Sequence, residues 1–524
     1  MSSEPNAPEN ETSPERPSTA GMTTKVVKGT LWTLAGLSVP IFFSLFATPI
    51  VTRLLGAEGY GLFILVLLIP TYFNFADFGM NIASTKFGAG AYGEGSPEKE
   101  ARVVRTAALI ALIASLPFAI GIIAFSAPVV RIFNVPEHLF AEAAFALKLA
   151  AVGFVINCLA TVFNTPELSR LRMDLNIMVT SGVRLLGIIA TPIVIYLGGG
   201  VTGAVAVALS VSIITLAGHI IVSARLLPQL IGTTIDRDSV RPMLRFGSSL
   251  VIAGVAGVLL AQLEKVVLTR ATSVETLAYY SVAATFAAML TLFSASIVQS
   301  LMPAFSQLQG ESNRPALNAL YSRGIRSTLI WLVPAVVFMI FVGRPFFTYW
   351  FSADFGREST LPFYITVAGL FFNVLAYFPY SAIMASGRSD IFAKIYWLEL
   401  VPHVALVWVL AHWYGAAGAA AAWSIRVTLD AAILFWLAHR FGVRFDRGRI
   451  LAFAAAALFM ASPVVALAVW GHQPLVIASA VLAAVIYVFA VWRTVLKEEE
   501  IVWLKATVNR YRGQWTAHRE EPVK

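Results

Sequence analysis

Apolar residues dominate this chain in long unbroken runs, not in the short alternating or half-helical periods of a soluble fold. From Leu31 almost to the C-terminus, the runs are about 20 residues long, the length an α-helix needs to cross a hydrocarbon core of about 30 Å. They place fourteen spans at 31–51, 60–85, 104–126, 140–165, 176–197, 202–224, 246–268, 277–300, 326–343, 361–385, 391–411, 416–438, 450–470 and 474–493. A helix that is apolar on every side takes lipid as its solvent. The pattern therefore predicts an all-α polytopic membrane protein with about 14 transmembrane helices.

Composition agrees, since 58% hydrophobic and 13% charged residues in a chain of 524 exceed what a soluble core absorbs. The net charge of +9 raises the possibility of a nucleic-acid partner, but the placement of the charges argues for topology instead. With a cytoplasmic N-terminus, 29 of the 38 Lys and Arg fall on the inner side, five on the outer side (Arg53, Arg131, Arg270, Arg344 and Arg357) and four within spans. Positive charge is retained on the cytoplasmic side, so this split predicts an inner-membrane protein with both termini inside and no nucleic-acid role. Residues 1–22 have no apolar run and read as a disordered cytoplasmic tail, not a secretion signal. At the other end, Ile501, Leu504, Val508, Tyr511 and Trp515 recur at helical spacing among basic residues, which predicts an interfacial helix lying on membrane lipids.

The single cysteine, Cys158, excludes a disulfide framework and a thiolate cluster. Seven scattered histidines lack ligand spacing, so no metal or cofactor is expected; His219 and His403, inside spans, read as packing or hydrogen-bonding residues.

An internal duplication organises the spans. Thr52-Arg53 with Glu58 matches Thr269-Arg270 with Glu275 at an offset of 217; Asn157 matches Asn373, and Arg172-x-Asp174 matches Arg388-x-Asp390, at 216. Gly200-x-x-Gly203-Ala matches Gly415-x-x-Gly418-Ala at 215. Six spans separate equivalent positions, so the repeats are parallel, related by an axis along the membrane normal. The expected division is a tail at 1–22, an N-terminal lobe at 23–225, a C-terminal lobe at 226–440, two added spans in 441–495, and an interfacial helix and tail at 496–524. Two such lobes enclose a cleft suited to alternating access.

Polar residues inside spans are the candidate functional groups, because each is costly in lipid. In span 2, Asn74, Asp77, Asn81 and Ser84 lie at i, i+3, i+7 and i+10, one face of a continuous helix. Asp77 reads as a proton or cation site, a substrate contact, or a structural hydrogen-bonding residue. The 217 offset places Thr291 and Ser294 of span 8 in the positions of Asn74 and Asp77. In span 7, Gln262, Lys265 and Thr269 share a face with Glu264 beside it; Lys265 either snorkels, meets substrate or pairs with Glu264. Arg184 and Glu399 are equivalent by the 215 offset and lie at equal depth, permitting a pair across the lobes, and Arg426 with Asp430 forms an expected i,i+4 pair.

The run Arg53-Leu-Leu-Gly56-Ala-Glu58-Gly59-Tyr60-Gly61, followed by Ala76-Asp77-Phe78-Gly79 and later Pro303-Ala304-Phe305-Ser306, resembles the Wzx-type O-antigen and exopolysaccharide flippases. These form the polysaccharide transporter branch of the superfamily that also contains multidrug exporters and the lipid II flippase. The resemblance covers spans 1–12 in layout, with its motifs concentrated in spans 1–2 and after span 8. It implies a V-shaped two-lobe fold and alternating-access translocation of an undecaprenyl-pyrophosphate-linked oligosaccharide, for polysaccharide biosynthesis. Coupling to a proton gradient or membrane potential, and hand-over to a polysaccharide polymerase and chain-length machinery, belong to the same expectation. Arg53, Gly56, Tyr60, Asp77 and Gly79 match its motif positions, the first three as residues fixing the turn between spans 1 and 2. A cation-coupled drug exporter and a lipid II flippase are the alternatives; basic residues in spans 1 and 2 only at their ends, Arg53 and Lys86, weigh against lipid II. An enzyme is not expected, since no loop offers paired carboxylates and the longest outer loop has about 17 residues.

Overall fold

A computed structural model of the chain describes residues 19–291, 313–388 and 390–443, with isolated positions at 301, 305, 308, 482, 485 and 487. Most of the N-terminal tail, Ser294, Pro303, Ala304 and Ser306, span 13, most of span 14 and the C-terminal interfacial helix lie outside the described residues. All regular structure among the described residues is helical. In chain order it comprises α1 (Thr19–Thr71), a 3-10 turn (Asn74–Asp77), α2 (Met80–Gly93), α3 (Pro97–Ala124), α4 (Ser126–Ile132), α5 (Phe140–Phe163), α6 (Thr165–Ser169) and α7 (Met173–Val194). Then follow α8 (Gly200–Leu226), α9 (Arg237–Ala271), α10 (Val274–Ala287), a 3-10 turn (Ala288–Thr291), α11 (Arg314–Phe346), α12 (Ala353–Glu358), α13 (Thr360–Ala385) and α14 (Asp390–Arg440).

Seven stretches among the described residues are long and apolar enough to cross a membrane. In one of them, Met173–Leu226, only 11% of the apolar window is buried, and Met178, Leu186, Ile189, Ile193, Ile213 and Ile214 stand exposed. Water would oppose an apolar face of this extent, and lipid does not. The protein is a polytopic membrane protein.

Packing divides the chain into two compact units. One takes the chain up to Val51 with Ile69–Ala127 and Ala141–Gly254; the other takes Thr52–Leu68, Pro128–Phe140 and the chain from Val255 onward. In the first unit, Met80, Val104, Ala107, Val162 and Met243 share a buried core, so the start of α9 packs against α2, α3 and α5. Its position is set by the preceding loop. Arg105 donates to the carbonyls of Gln229 and Thr234, and the Thr106 hydroxyl accepts the Asp236 N–H at 2.9 Å. Asp236 in turn caps α9, accepting from the Ser239 hydroxyl at 2.6 Å and the Ser239 N–H at 3.3 Å, and these donors hold its carboxyl below the usual range.

In the second unit, Gly61 lies so close to α10 that a Cβ there would sit 1.7 Å from the Val274 carbonyl oxygen. Asn134 donates to the carbonyl of Thr272 at 2.7 Å, closing the last turn of α9.

The sequence repeat has backbone counterparts. Leu171 and Gly387, 216 residues apart, both take positive φ, 55° and 79°. Gly200 and Gly415 adopt nearly the same conformation, φ 56°, ψ −155° and φ 55°, ψ −131°, where α7 gives way to α8 and where α14 is interrupted. At both points the chain folds back on itself: Thr180 meets His219 across the first break, and the Gly418 position abuts the Leu410 carbonyl across the second. Gly153 faces Leu209 and Gly369 faces Ser424, pairs related by the same offsets. Close helix approach at small residues recurs at equivalent places because both repeats solve the same packing problem in lipid.

One contact tests the fold directly. A Cβ on Gly247 would sit 1.9 Å from the Phe78 carbonyl oxygen, a backbone atom that cannot swing away. Gly247→Ala should destabilise the detergent-purified protein by about 1–3 kcal/mol, read as a lower melting temperature, whereas Gly257→Ala, with open space around it, should not.

Candidate functional site

Span 2 is not the continuous helix that its polar spacing predicts. Helix α1 ends at Thr71, the chain makes the 3-10 turn Asn74–Asp77, Phe78 and Gly79 take φ of 52° and 67°, and α2 starts at Met80. The polar stripe is therefore divided, with Asn74 in the turn and Asn81 and Ser84 on α2. The physical reason lies in the Asp-Phe-Gly sequence. A helix broken in lipid leaves N–H groups without partners, and the Asp77 carboxylate supplies them, Oδ1 accepting from the Gly79 N–H at 2.9 Å and Oδ2 from the Asn81 N–H at 3.4 Å. Gly79 also meets Gly247 backbone to backbone, a Cβ there lying 3.0 Å from the Gly247 oxygen. Ser84 turns into the core and accepts from the Thr165 hydroxyl at 2.7 Å, while the Asn81 carbonyl accepts from Ser84 and Thr85 at 3.0 Å.

In the second repeat the helix ends near the equivalent place, and the residues directly beyond Thr291 lie outside the described residues. Helix α10 ends at Ala287 and a 3-10 turn runs from Ala288 to Thr291, the residue equivalent to Asn74. Interrupted hydrophobic segments at corresponding positions of two repeats mark substrate sites in transporters, because unsatisfied backbone groups become available there.

The motif around Arg53 does structural work within the second unit. Arg53 donates Nε to the Phe351 carbonyl at 2.7 Å and Nη2 to the Tyr349 carbonyl at 2.9 Å, capping the wide turn at the end of α11. Gly56, with φ 71° and ψ 175°, breaks α1 between the expected spans 1 and 2, and Tyr60 is buried just beyond it. Thr52, Arg53, Gly56, Glu58, Glu275, Tyr279 and Asp354 line a cavity of about 400 Å³.

A buried charged cluster lies elsewhere in the second unit. Lys265 donates to Gln262 Oε1 at 2.9 Å, and the Tyr280 hydroxyl donates to the buried Glu264 at 3.5 Å. The ion-pair partner of Arg426 is Glu399, at 3.6 Å with both side chains only 13% exposed, and not the i+4 residue Asp430, whose Oδ1 is buried without a hydrogen bond among the described residues. Arg426 also acts electrostatically on Glu264, His403 and Asp430. Arg184, expected to face Glu399, is exposed on α7 of the first unit.

The reversal at Gly415 explains this constellation. It brings Glu399 and His403 of one arm of α14 level with Arg426 and Asp430 of the other. Both oxygens of Glu399 and both ring nitrogens of His403 are buried without hydrogen bonds among the described residues, the 3.6 Å ion pair being beyond hydrogen-bond reach. Three carboxylates share two cations here, so the cluster has the composition to take up and release a proton or a small cation. Among the described residues no group of three or more His, Cys, Asp or Glu side chains is placed to hold a metal ion.

The fold is that of the MATE and MurJ exporters. A lipid II flippase MurJ in an inward-closed conformation matches with a TM-score of 0.71 and 14% identity, over 89% of this chain and 100% of that one. An inward-facing multidrug resistance MATE family transporter of the MOP superfamily matches at 0.62 and 16% identity, over 78% of this chain and 97% of that one. The sequence profile of the family described as polysaccharide biosynthesis protein matches residues 26–309, and the chain belongs to that family. The profile of the lipid II flippase MurJ matches residues 237–496. A Shigella flexneri protein named "Putative O-antigen transporter" is 23% identical over 425 residues, covering 79% of this chain and 98% of its own length. Family membership thus ties the chain to polysaccharide biosynthesis, and the likeness to the solved structures gives its fold.

The Glu399–Arg426 pair is open to test. Arg426→Ala leaves a buried carboxylate uncompensated and should destabilise the purified protein by about 3–5 kcal/mol, while Glu399→Leu with Arg426→Met should recover most of that loss in a thermal melt.

Proposed function

We propose that this protein moves undecaprenyl-pyrophosphate-linked oligosaccharide repeat units from the cytoplasmic to the periplasmic face of the inner membrane, for O-antigen or exopolysaccharide assembly. The observation that carries the reading is the helix break at Asn74–Gly79, matched in the second repeat by the 3-10 end of α10 at Ala288–Thr291, in a chain of the polysaccharide biosynthesis family. Broken helices offer backbone groups and short polar side chains to a hydrated glycan and pyrophosphate, while the prenyl tail stays in lipid. Alternating access of the two repeats then carries the headgroup across, and polymerase and chain-length machinery receive it outside.

The cluster around Glu399, Arg426 and Glu264 is the proposed coupling site, and Gln262 and Lys265 flank it. A proton or cation taken up there changes the charge balance of a low-dielectric pocket, which biases one access state over the other. Asn74, Asp77 and Asn81 are the proposed substrate-side groups. Asp77 serves both ends of this account, since its charge faces the break while its oxygens hold the start of α2 in place. Both termini are assigned to the cytoplasm by the charge distribution.

Deletion of the gene tests the cargo. The expected result is accumulation of a lipid-linked oligosaccharide on the cytoplasmic side with loss of surface polysaccharide. Absence of accumulation together with increased drug sensitivity would transfer the assignment to a drug exporter, and accumulation of lipid II to a peptidoglycan flippase.

A further inference from the structure

The motif and cluster described above leave one cavity of the first unit unassigned. Lys86 and Phe87 of α2, Phe78 of the preceding break, and Arg241, Arg245 and Phe246 of α9 surround a partly open space of about 1140 Å³. Arg241 and Arg245 are one turn apart, and Met243 between them is fully buried in the core, so the anchoring of α9 holds the two guanidinium groups outward. Lys86 is positioned as well, its Nζ lying 3.9 Å from the Phe246 ring centre, and Phe246 meets Phe87 edge to face at 6.3 Å.

Among the described residues the cavity is lined by three cations and no carboxylate. Asp236 is occupied by Ser239, and Asp238 does not line the space. Among the described residues the charged groups of Lys86, Arg241 and Arg245 have no ion-pair or hydrogen-bond partner, the Ser248 hydroxyl donating to the Arg245 carbonyl only. Phe78, 40% exposed, adds open aromatic surface beside these charges. Concentrated positive charge next to exposed aromatic surface is complementary to a ligand with an anionic head and an apolar stem. All three cations also belong to the side that the charge distribution assigns to the cytoplasm.

We propose that this cavity is a docking site for the phosphorylated headgroup of a membrane lipid, with the phosphate held by Lys86, Arg241 and Arg245 and the first carbons of the chain against Phe78, Phe87 and Phe246. The site does not depend on the cargo reading, because any phosphate- or pyrophosphate-bearing lipid meets its chemistry. It abuts the Phe78–Gly79 break, so a lipid seated there touches the segment that closes against Gly247.

The test uses the full-length protein in phosphatidylcholine nanodiscs, with native mass spectrometry reading the binding of phosphatidylglycerol, undecaprenyl pyrophosphate and inorganic pyrophosphate to wild type and to Lys86→Gln/Arg241→Gln/Arg245→Gln. Wild type should prefer at least one phosphorylated lipid to phosphatidylcholine, and the triple variant should weaken that binding on the order of a hundred-fold, about five-fold per basic residue. Arg241→Lys/Arg245→Lys should retain most of it, which separates lost charge from lost folding. Loss confined to undecaprenyl pyrophosphate identifies the cargo as the occupant, and equal loss of both lipids identifies anionic lipid in general; each supports the site. Unchanged lipid binding in the triple variant, or inorganic pyrophosphate binding as tightly as the lipids, overturns it.

Discussion

Every backbone N–H and carbonyl inside a bilayer must find a partner within the protein, and this chain breaks its helices repeatedly inside apolar segments. The structure is organised around covering those breaks. The Asp77 carboxylate covers the start of α2, and Glu142 covers the start of α8 by accepting the Thr202 N–H at 2.9 Å, with Gly200 leaving room for it. Arg53 covers the carbonyls at the end of α11, and Asn134 those at the end of α9. Charged residues of this kind look functional in a sequence because they are expensive in lipid. Several of them are there to make the irregular backbone affordable.

Charge without such duty stands apart on that ground. Glu167 is buried with His219 at 3.0 Å, and Glu100 pairs with Arg170 at 2.9 Å while its Oε1 stays without a hydrogen bond among the described residues. Glu399, His403, Arg426 and Asp430 retain buried polar atoms without hydrogen bonds among the described residues. A low-dielectric pocket amplifies any change in their protonation or occupancy.

The all-helical polytopic character, the interruptions near Gly56, Gly200 and Gly415, and the repeat were legible because lipid imposes long apolar runs and because duplication leaves constant offsets. The break in span 2 was concealed, since Asn74, Asp77, Asn81 and Ser84 fit a helical period by spacing alone. Its signal was Asp77 two residues before Gly79, an acceptor beside a residue free to take positive φ. The Glu399–Arg426 pair was missed because i,i+4 spacing favoured Asp430. Reading Gly415 as the point of reversal places the four polar residues of α14 side by side. The cationic cavity near Lys86 had no signal in linear spacing, because Lys86 and Arg241 meet only through the packing of Met243 against the α2–α3 core.

Translocation itself is measured most directly in proteoliposomes that carry the purified protein and a fluorescent prenyl-pyrophosphate-linked oligosaccharide, with a membrane-impermeant quencher reporting sidedness. The account predicts quencher accessibility changing faster than in protein-free vesicles, and slowing when Asp77→Asn removes the charge at the first helix break while leaving an acceptor for the Gly79 N–H. Movement no faster than in protein-free vesicles, with the protein folded and correctly inserted, would contradict it.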